Sequence, residues 1–206
     1  MPIFPFFPRR APRRAVERAV ESVARAPAVP QTRTRRHFYN EPRFQTYASF
    51  FPLWGGWATA GHCLTETNGL CPPFASGPCV SWPDGLDAAL IGCALPARAP
   101  GKPMAKLRVV AEGYPAGSRH LEQRMGHIYL ERQPGQWIVQ MDDADEPVVT
   151  GMSGGPVRDA GTLEPLGILI TRNSPADLDA DGDADQSYDF IALHDIWHAA
   201  RGAAVA

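Results

Sequence analysis

No stretch of this 206-residue chain is long and apolar enough to cross a bilayer, which excludes a membrane-spanning helix. The opening MPIFPFFPRR has an apolar patch, but Pro2, Pro5 and Pro8 interrupt it and its charges come after it. That is the wrong order for a secretory leader, so a cytoplasmic protein is expected. No helical run separates the short apolar segments of the body and no repeat is present, which argues against βαβ units. No CxxC pair occurs, which argues against a zinc site. Lysine is absent from residues 1–37, although nine arginines stand there beside two glutamates. The rest of the chain carries 11 basic and 20 acidic residues. A basic arm thus precedes an acidic body. Composition favours an arm solvated against that body. The sharper alternative is an arm for nucleic acid, a membrane surface or an activating or tethering partner; of these nucleic acid is not the expected one, and no membrane span is expected.

What is present favours an all-β fold. The chain is 44% hydrophobic, with 21 Pro and 19 Gly, enough apolar content for a core and many turn residues. Residues 12–26, PRRAVERAVESVARA, place Val16, Val20 and Val23 on one helical face and predict a short basic amphipathic helix; residues 26–36 read as a linker. From about residue 38 come FQTYASFF, GWATAGHC, LDAALIGC, KLRVVAEGY, GHIYLER, QWIVQM, LGILIT and YDFIAL. Each reads as a strand bounded by Gly, Pro or Asp. HDIWHAARGAAVA reads as a terminal helix. The expected domains are an arm over 1–37 and a body over 38–206, with the strands dividing into two halves near residue 104.

Three short stretches carry chemistry. VTGMSGGPV (149–157) sets Ser153 among glycines. GWATAGHCL puts His62 at the end of an apolar strand after two small residues, and DGLDAALIG puts Asp87 at the head of another. An Asp so placed is costly to bury unless it accepts hydrogen bonds, for instance from a histidine Nδ1–H. A serine hydroxyl becomes a nucleophile when a neighbouring base takes its proton. Separately, His62 could be a core histidine, Asp87 a strand cap and Ser153 a turn residue. Asp84 competes for the acidic role, and His120 and His127 for the base.

Together these motifs resemble those of chymotrypsin-like (trypsin-fold) serine peptidases. TAGHC is similar to the histidine motif, particularly of bacterial members, DAAL to the aspartate motif and GMSGGPV to the nucleophile motif. VAEGYP (110–115) is similar to the strand opening the second barrel of glutamyl-endopeptidase-like members. The resemblance covers roughly residues 40–198. It implies two six-stranded antiparallel β-barrels with a cleft between them, a C-terminal helix, and hydrolysis of peptide bonds through an acyl-enzyme, without a cofactor. His62 would be the general base, Asp87 its orienter and Ser153 the nucleophile, with the N–H groups of Gly151 and Ser153 as oxyanion hole. The alternative is a catalytically silent binding or structural module on the same fold, its basic arm tethering it to a partner or nucleic acid.

The departures from the family pattern are informative. Met152 stands where activatable members carry Asp, and no IVGG-like start exists, so switching by a new N-terminus is not expected. Pro147 falls at the base of the implied specificity pocket, with Val148, Ile170, Thr171 and Arg172 around it and Leu169 where glutamyl endopeptidases carry His. A small or apolar residue before the cut is therefore expected, and Arg172 leaves an acidic one open. The family pairs the cysteine after the histidine with an upstream partner, but Cys63 has none upstream. Cys63, Cys71, Cys79 and Cys93 leave two disulfides, four thiols or a zinc site open, and a cytoplasmic setting favours thiols. Asp177, Asp179 and Asp181 in DLDADGDADQSYD are spaced like calcium-loop ligands, but Tyr188 stands where the closing Glu belongs. A solvated acidic loop is the preferred reading.

Overall fold

The run Ala88-Ala89-Leu90-Ile91 is apolar throughout and wholly buried, as a strand covered on both faces should be. It forms most of strand β5 (Leu86–Ile91), an inner strand of the first half's sheet. In a computed structural model of the chain, residues 33–38, 45–65, 77–82, 85–116, 118–143, 147–170 and 187–203 are described. The first half comprises β1 (Arg33–Phe38), β2 (Gln45–Leu53), β3 (Gly56–Thr59), the single-turn helix α1 (Gly61–Thr65), β4 (Cys79–Trp82) and β5. All its pairs are antiparallel, in the order β1-β2-β3-β5-β4. Strand β1 starts at Arg33, within the stretch that composition assigns to a linker; its backbone pairs with β2 from Arg33 opposite Phe50 to Phe38 opposite Gln45.

The second half comprises β6 (Arg108–Gly113), β7 (Glu122–Gln133), β8 (Gln136–Met141), β9 (Pro156–Asp159), β10 (Pro165–Ile170) and β11 (Ser187–Ala192), followed by helix α2 (Leu193–Ala203). These six strands close into an antiparallel barrel in the order β10-β11-β8-β7-β6-β9. In β7 the side chains alternate, with Gly126 and Ile128 buried and Met125, His127 and Tyr129 exposed, because one face meets the barrel core and the other meets water. The expected all-β architecture with a terminal helix is thus present. Among the described residues the first half is a five-stranded sheet, and the second is the closed six-stranded barrel.

The barrel core packs Val109, Ile128, Val139, Met152, Leu169 and Phe190. The other core joins the halves: Phe50, Phe51, Ala58, Leu90 and Ile91 of the first sheet pack with Ile168 and Ile170 of β10, Ile191 of β11 and Ile196 of α2. Burying each large apolar side chain contributes about 1.5–3 kcal/mol relative to exposure, so the second half supplies much of what the first sheet needs on its inner face. Helix α2 also grips the linker between the halves. Its Trp197 indole N–H donates to the Pro96 carbonyl at 2.9 Å, and His194 Nδ1 lies 2.9 Å from the Pro100 carbonyl. The predicted arm helix over 12–26 lies outside the described residues.

Candidate active site

Strand β3 ends at Thr59, and Ala60 and Gly61 lead into α1, where the chain turns over β5. Neither residue has a bulky side chain. A Cβ at Gly61 would lie 3.1 Å from both Asp87 Oδ1 and the Ala88 nitrogen, so the small residue lets the turn close onto β5. The result is a two-point contact between His62 and Asp87. The His62 backbone N–H donates to Asp87 Oδ1 at 2.7 Å, and His62 Nδ1 lies 2.6 Å from Asp87 Oδ2. Occupied by the carboxylate, Nδ1 keeps its proton, and in the neutral ring Nε2 is left as the basic atom.

The two side chains are 29% and 32% exposed. Burial works against a charge on His62, but the hydrogen bond to Asp87, joined by Cys63, outweighs it and raises the imidazole above its ordinary value. Burial would likewise raise the Asp87 carboxyl. Its bonds from the His62 ring and from the His62 and Gly61 backbone dominate and hold it below the usual carboxylate range.

The serine comes from the turn before β9. Ser153 is buried at 4% exposure. Its carbonyl accepts the Ser49 N–H of β2 at 2.9 Å, and the Cys63 thiol, next to His62, lies 3.8 Å from the same oxygen. The turn is tight: Met152 N–H donates to the Val149 carbonyl at 3.1 Å and Gly155 N–H to the Met152 carbonyl at 3.0 Å. Gly151 and Gly154 take φ values of +96° and +86°, a region that side-chain-bearing residues rarely enter. Space forbids a side chain at Gly154 as well, since a Cβ there would strike the Ser49 carbonyl and Thr59 Oγ1. Met152 is fully buried in the barrel core. An apolar anchor therefore occupies the position before the serine.

The structure brings His62 and Asp87 into direct contact and ties the Ser153 backbone to the strand and turn that flank them. His127 is set apart on the exposed face of β7, 3.8 Å from Asp142, and His120 is exposed in the preceding loop, bonded to Ser118. Pro147 is exposed and its carbonyl accepts from Arg124 Nε at 3.1 Å, while Val148 is half-buried against the barrel core. Leu169 and Ile170 are buried. Asp84, Thr171, Arg172, Cys71 and the acidic run with Asp177, Asp179 and Asp181 lie outside the described residues. Cys63 and Cys93 are free thiols, and among the described residues no cluster of His, Cys, Asp and Glu could hold a metal ion. No described helix is long and apolar enough to cross a membrane.

Sequence reasoning passed over two residues of this site, Ser49 and Thr59. Both are fully buried, and the Thr59 hydroxyl donates to the Ser49 carbonyl at 2.9 Å. The signal was a lone serine in Ala48-Ser49-Phe50-Phe51, among residues that are otherwise apolar and buried. A buried hydroxyl in such company needs partners.

The fold is that of chymotrypsin-like serine proteases. The Rv3671c protease of M. tuberculosis in its active form superposes with a TM-score of 0.57 at 17% identity, over 82% of this chain and 78% of that one. Human heparin binding protein gives 0.58 at 12% identity over 87% and 93%. Kallikrein-related peptidase 10 in complex with Zn2+ gives 0.55 at 13% over 85% and 94%. No protein-family model and no curated protein matches the chain significantly. At these identities the likeness defines the fold, and the chemistry must be argued from the site.

Proposed function

We propose that the protein is a serine endopeptidase. His62 is the general base, Asp87 orients it, Ser153 attacks the scissile carbonyl, and the N–H groups of Gly151 and Ser153 stabilise the oxyanion. The observation that carries this reading is the paired contact of Asp87 with both the ring and the backbone of His62. A carboxylate so used holds the imidazole in one tautomer and stabilises its charge when it accepts the serine proton. The acyl-enzyme then forms with loss of the amine, and water releases the acid by the same proton path in reverse. The substrate is a protein segment laid along the cleft as an added strand, with a small or apolar residue preceding the cut. An activating or tethering partner engages the basic arm.

Cleavage of a peptide library by the full chain tests this reading. Wild type should cut, and Ser153→Ala and His62→Ala should not, while both variants remain folded by circular dichroism. A folded wild type that cuts nothing would favour the silent binding module, and full activity in Ser153→Ala would remove the serine from its role.

A further inference from the structure

Ser49 uses every polar group it has, and three of its four partners belong to the second half of the molecule. Its N–H donates to the Ser153 carbonyl at 2.9 Å. Its hydroxyl donates to the Gly151 carbonyl at 2.8 Å and accepts the Tyr114 N–H at 3.1 Å. Its own carbonyl accepts the Thr59 hydroxyl. It is fully buried, so water cannot replace any of these bonds.

The consequence follows from peptide geometry. In a trans peptide the C=O and the N–H of one unit point to opposite edges, so holding a carbonyl aims the next N–H. The Thr150 carbonyl accepts the Ala116 N–H at 2.7 Å, which aims the Gly151 N–H; the Met152 carbonyl accepts the Gly155 N–H, which aims that of Ser153. Between these two units stands the Gly151–Met152 peptide. Its carbonyl is held by the Ser49 side chain. Gly151 lies at positive φ, where a glycine resists rotation least, so the middle clamp matters most. The same hydroxyl ties Tyr114 to the turn, and segment 114–116 supplies the Ala116 clamp.

We propose that Ser49 is a positioning residue for the nucleophile turn: its hydroxyl bridges Tyr114 and Gly151 across the two halves and fixes the N–H groups that stabilise the oxyanion. The inference rests on the serine-peptidase reading for its catalytic consequence and on geometry alone for its structural one. It also accounts for order in the turn without an ion pair before Ser153, since Met152 holds one flank by burial and Ser49 the other by hydrogen bonds.

The test uses the full chain with Ser49→Ala, and Tyr188→Phe as a control that removes a buried hydroxyl from the barrel core while leaving the Ser49 hydroxyl and all its partners in place. Two quantities are measured: amide hydrogen exchange at Tyr114, Gly151 and Met152, and the rate of Ser153 modification by a fluorophosphonate. In Ser49→Ala, exchange at those amides should rise by about tenfold, the effect of roughly one lost hydrogen bond. Exchange in β7 and β8 should not change. The modification rate should fall by about tenfold to a hundredfold, approaching the loss of an oxyanion donor. Tyr188→Phe should keep both near wild type. Unchanged exchange and rate in Ser49→Ala would overturn the proposal, as would equal losses in both variants, which would signify general loosening. If wild type fails to react at all, the peptidase reading falls, while hydrogen exchange still decides whether Ser49 holds the turn.

Discussion

Asp87 decides which nitrogen of His62 carries the proton, and this makes the pair titrate as a unit. The sign of each shift fixes its pH window. His62 is raised, so its contribution to stability is complete below its ordinary value near 6.5 and is lost as pH rises through its folded value. Asp87 is lowered, so its contribution is present above about 3.8 and is lost as pH falls through the folded value. Catalysis needs the neutral ring, so the rate of Ser153 modification should climb with pH along a limb centred above 6.5. Asp87→Asn should shift that limb to lower pH and cut the plateau by about 10⁴-fold; a pH–rate profile of both proteins checks this, and an unmoved limb would detach Asp87 from His62. His62, Asp87 and Ser153 were legible as candidates because each sits in a short local motif. Ser49 was not, because its importance arises from partners about 65 and 102 residues away.

At the scale of elements, the strands read from alternation or apolar runs are present: LDAALIGC, KLRVVAEGY, QWIVQM, LGILIT and YDFIAL overlap β5, β6, β8, β10 and β11 to within two residues at either end. Strands β1, β4 and β9 were not legible. RTRRHF and PVRD carry too few apolar residues to mark a strand, CVSW is too short to show a pattern, and tertiary pairing makes all three strands. Strand β9 holds a polar contact that no pattern revealed. Arg158 and Glu112 are both buried, with Nε 2.9 Å from Oε2, while Gln123 Nε2 donates to Glu112 Oε1 at 2.9 Å and Arg158 Nη1 to the Leu163 carbonyl at 3.2 Å. This network ties β9, just after the serine, to β6 and β7. Removing one partner strands a buried charge, so Arg158→Ala should lower stability by about 3–5 kcal/mol in urea unfolding. A loss under 1 kcal/mol would mean that water satisfies Glu112. Gly154→Ala should cost about 3 kcal/mol through backbone strain together with collision against Ser49 and Thr59, measured in the same way.

For the whole molecule, the shared core makes the two halves interdependent. Ile168, Ile170, Ile191, Leu193 and Ile196 belong to the second half by sequence but to the first sheet's core by packing. Trp197 is 8% exposed, bonds to Pro96 and lies under the Arg201 guanidinium at 4.8 Å. Trp197→Ala should therefore destabilise by about 3–5 kcal/mol, and denaturation followed by tryptophan fluorescence and by circular dichroism should give one coincident transition. Two separated transitions would show that the halves fold apart. The chain passes from β5 to β6 between Ile91 and Arg108, the stretch that holds the expected division near residue 104. The trade of core residues across that stretch was not legible, because a hydrophobic pattern marks which face is buried but not against what. The proposed activity requires Ser153 to be an activated nucleophile. Reaction of the full chain with a fluorophosphonate, with the adduct located by tandem mass spectrometry, tests this. One adduct is expected, on Ser153 and absent from His62→Ala. An unmodified, folded wild type, or modification that persists without His62, would overturn the assignment.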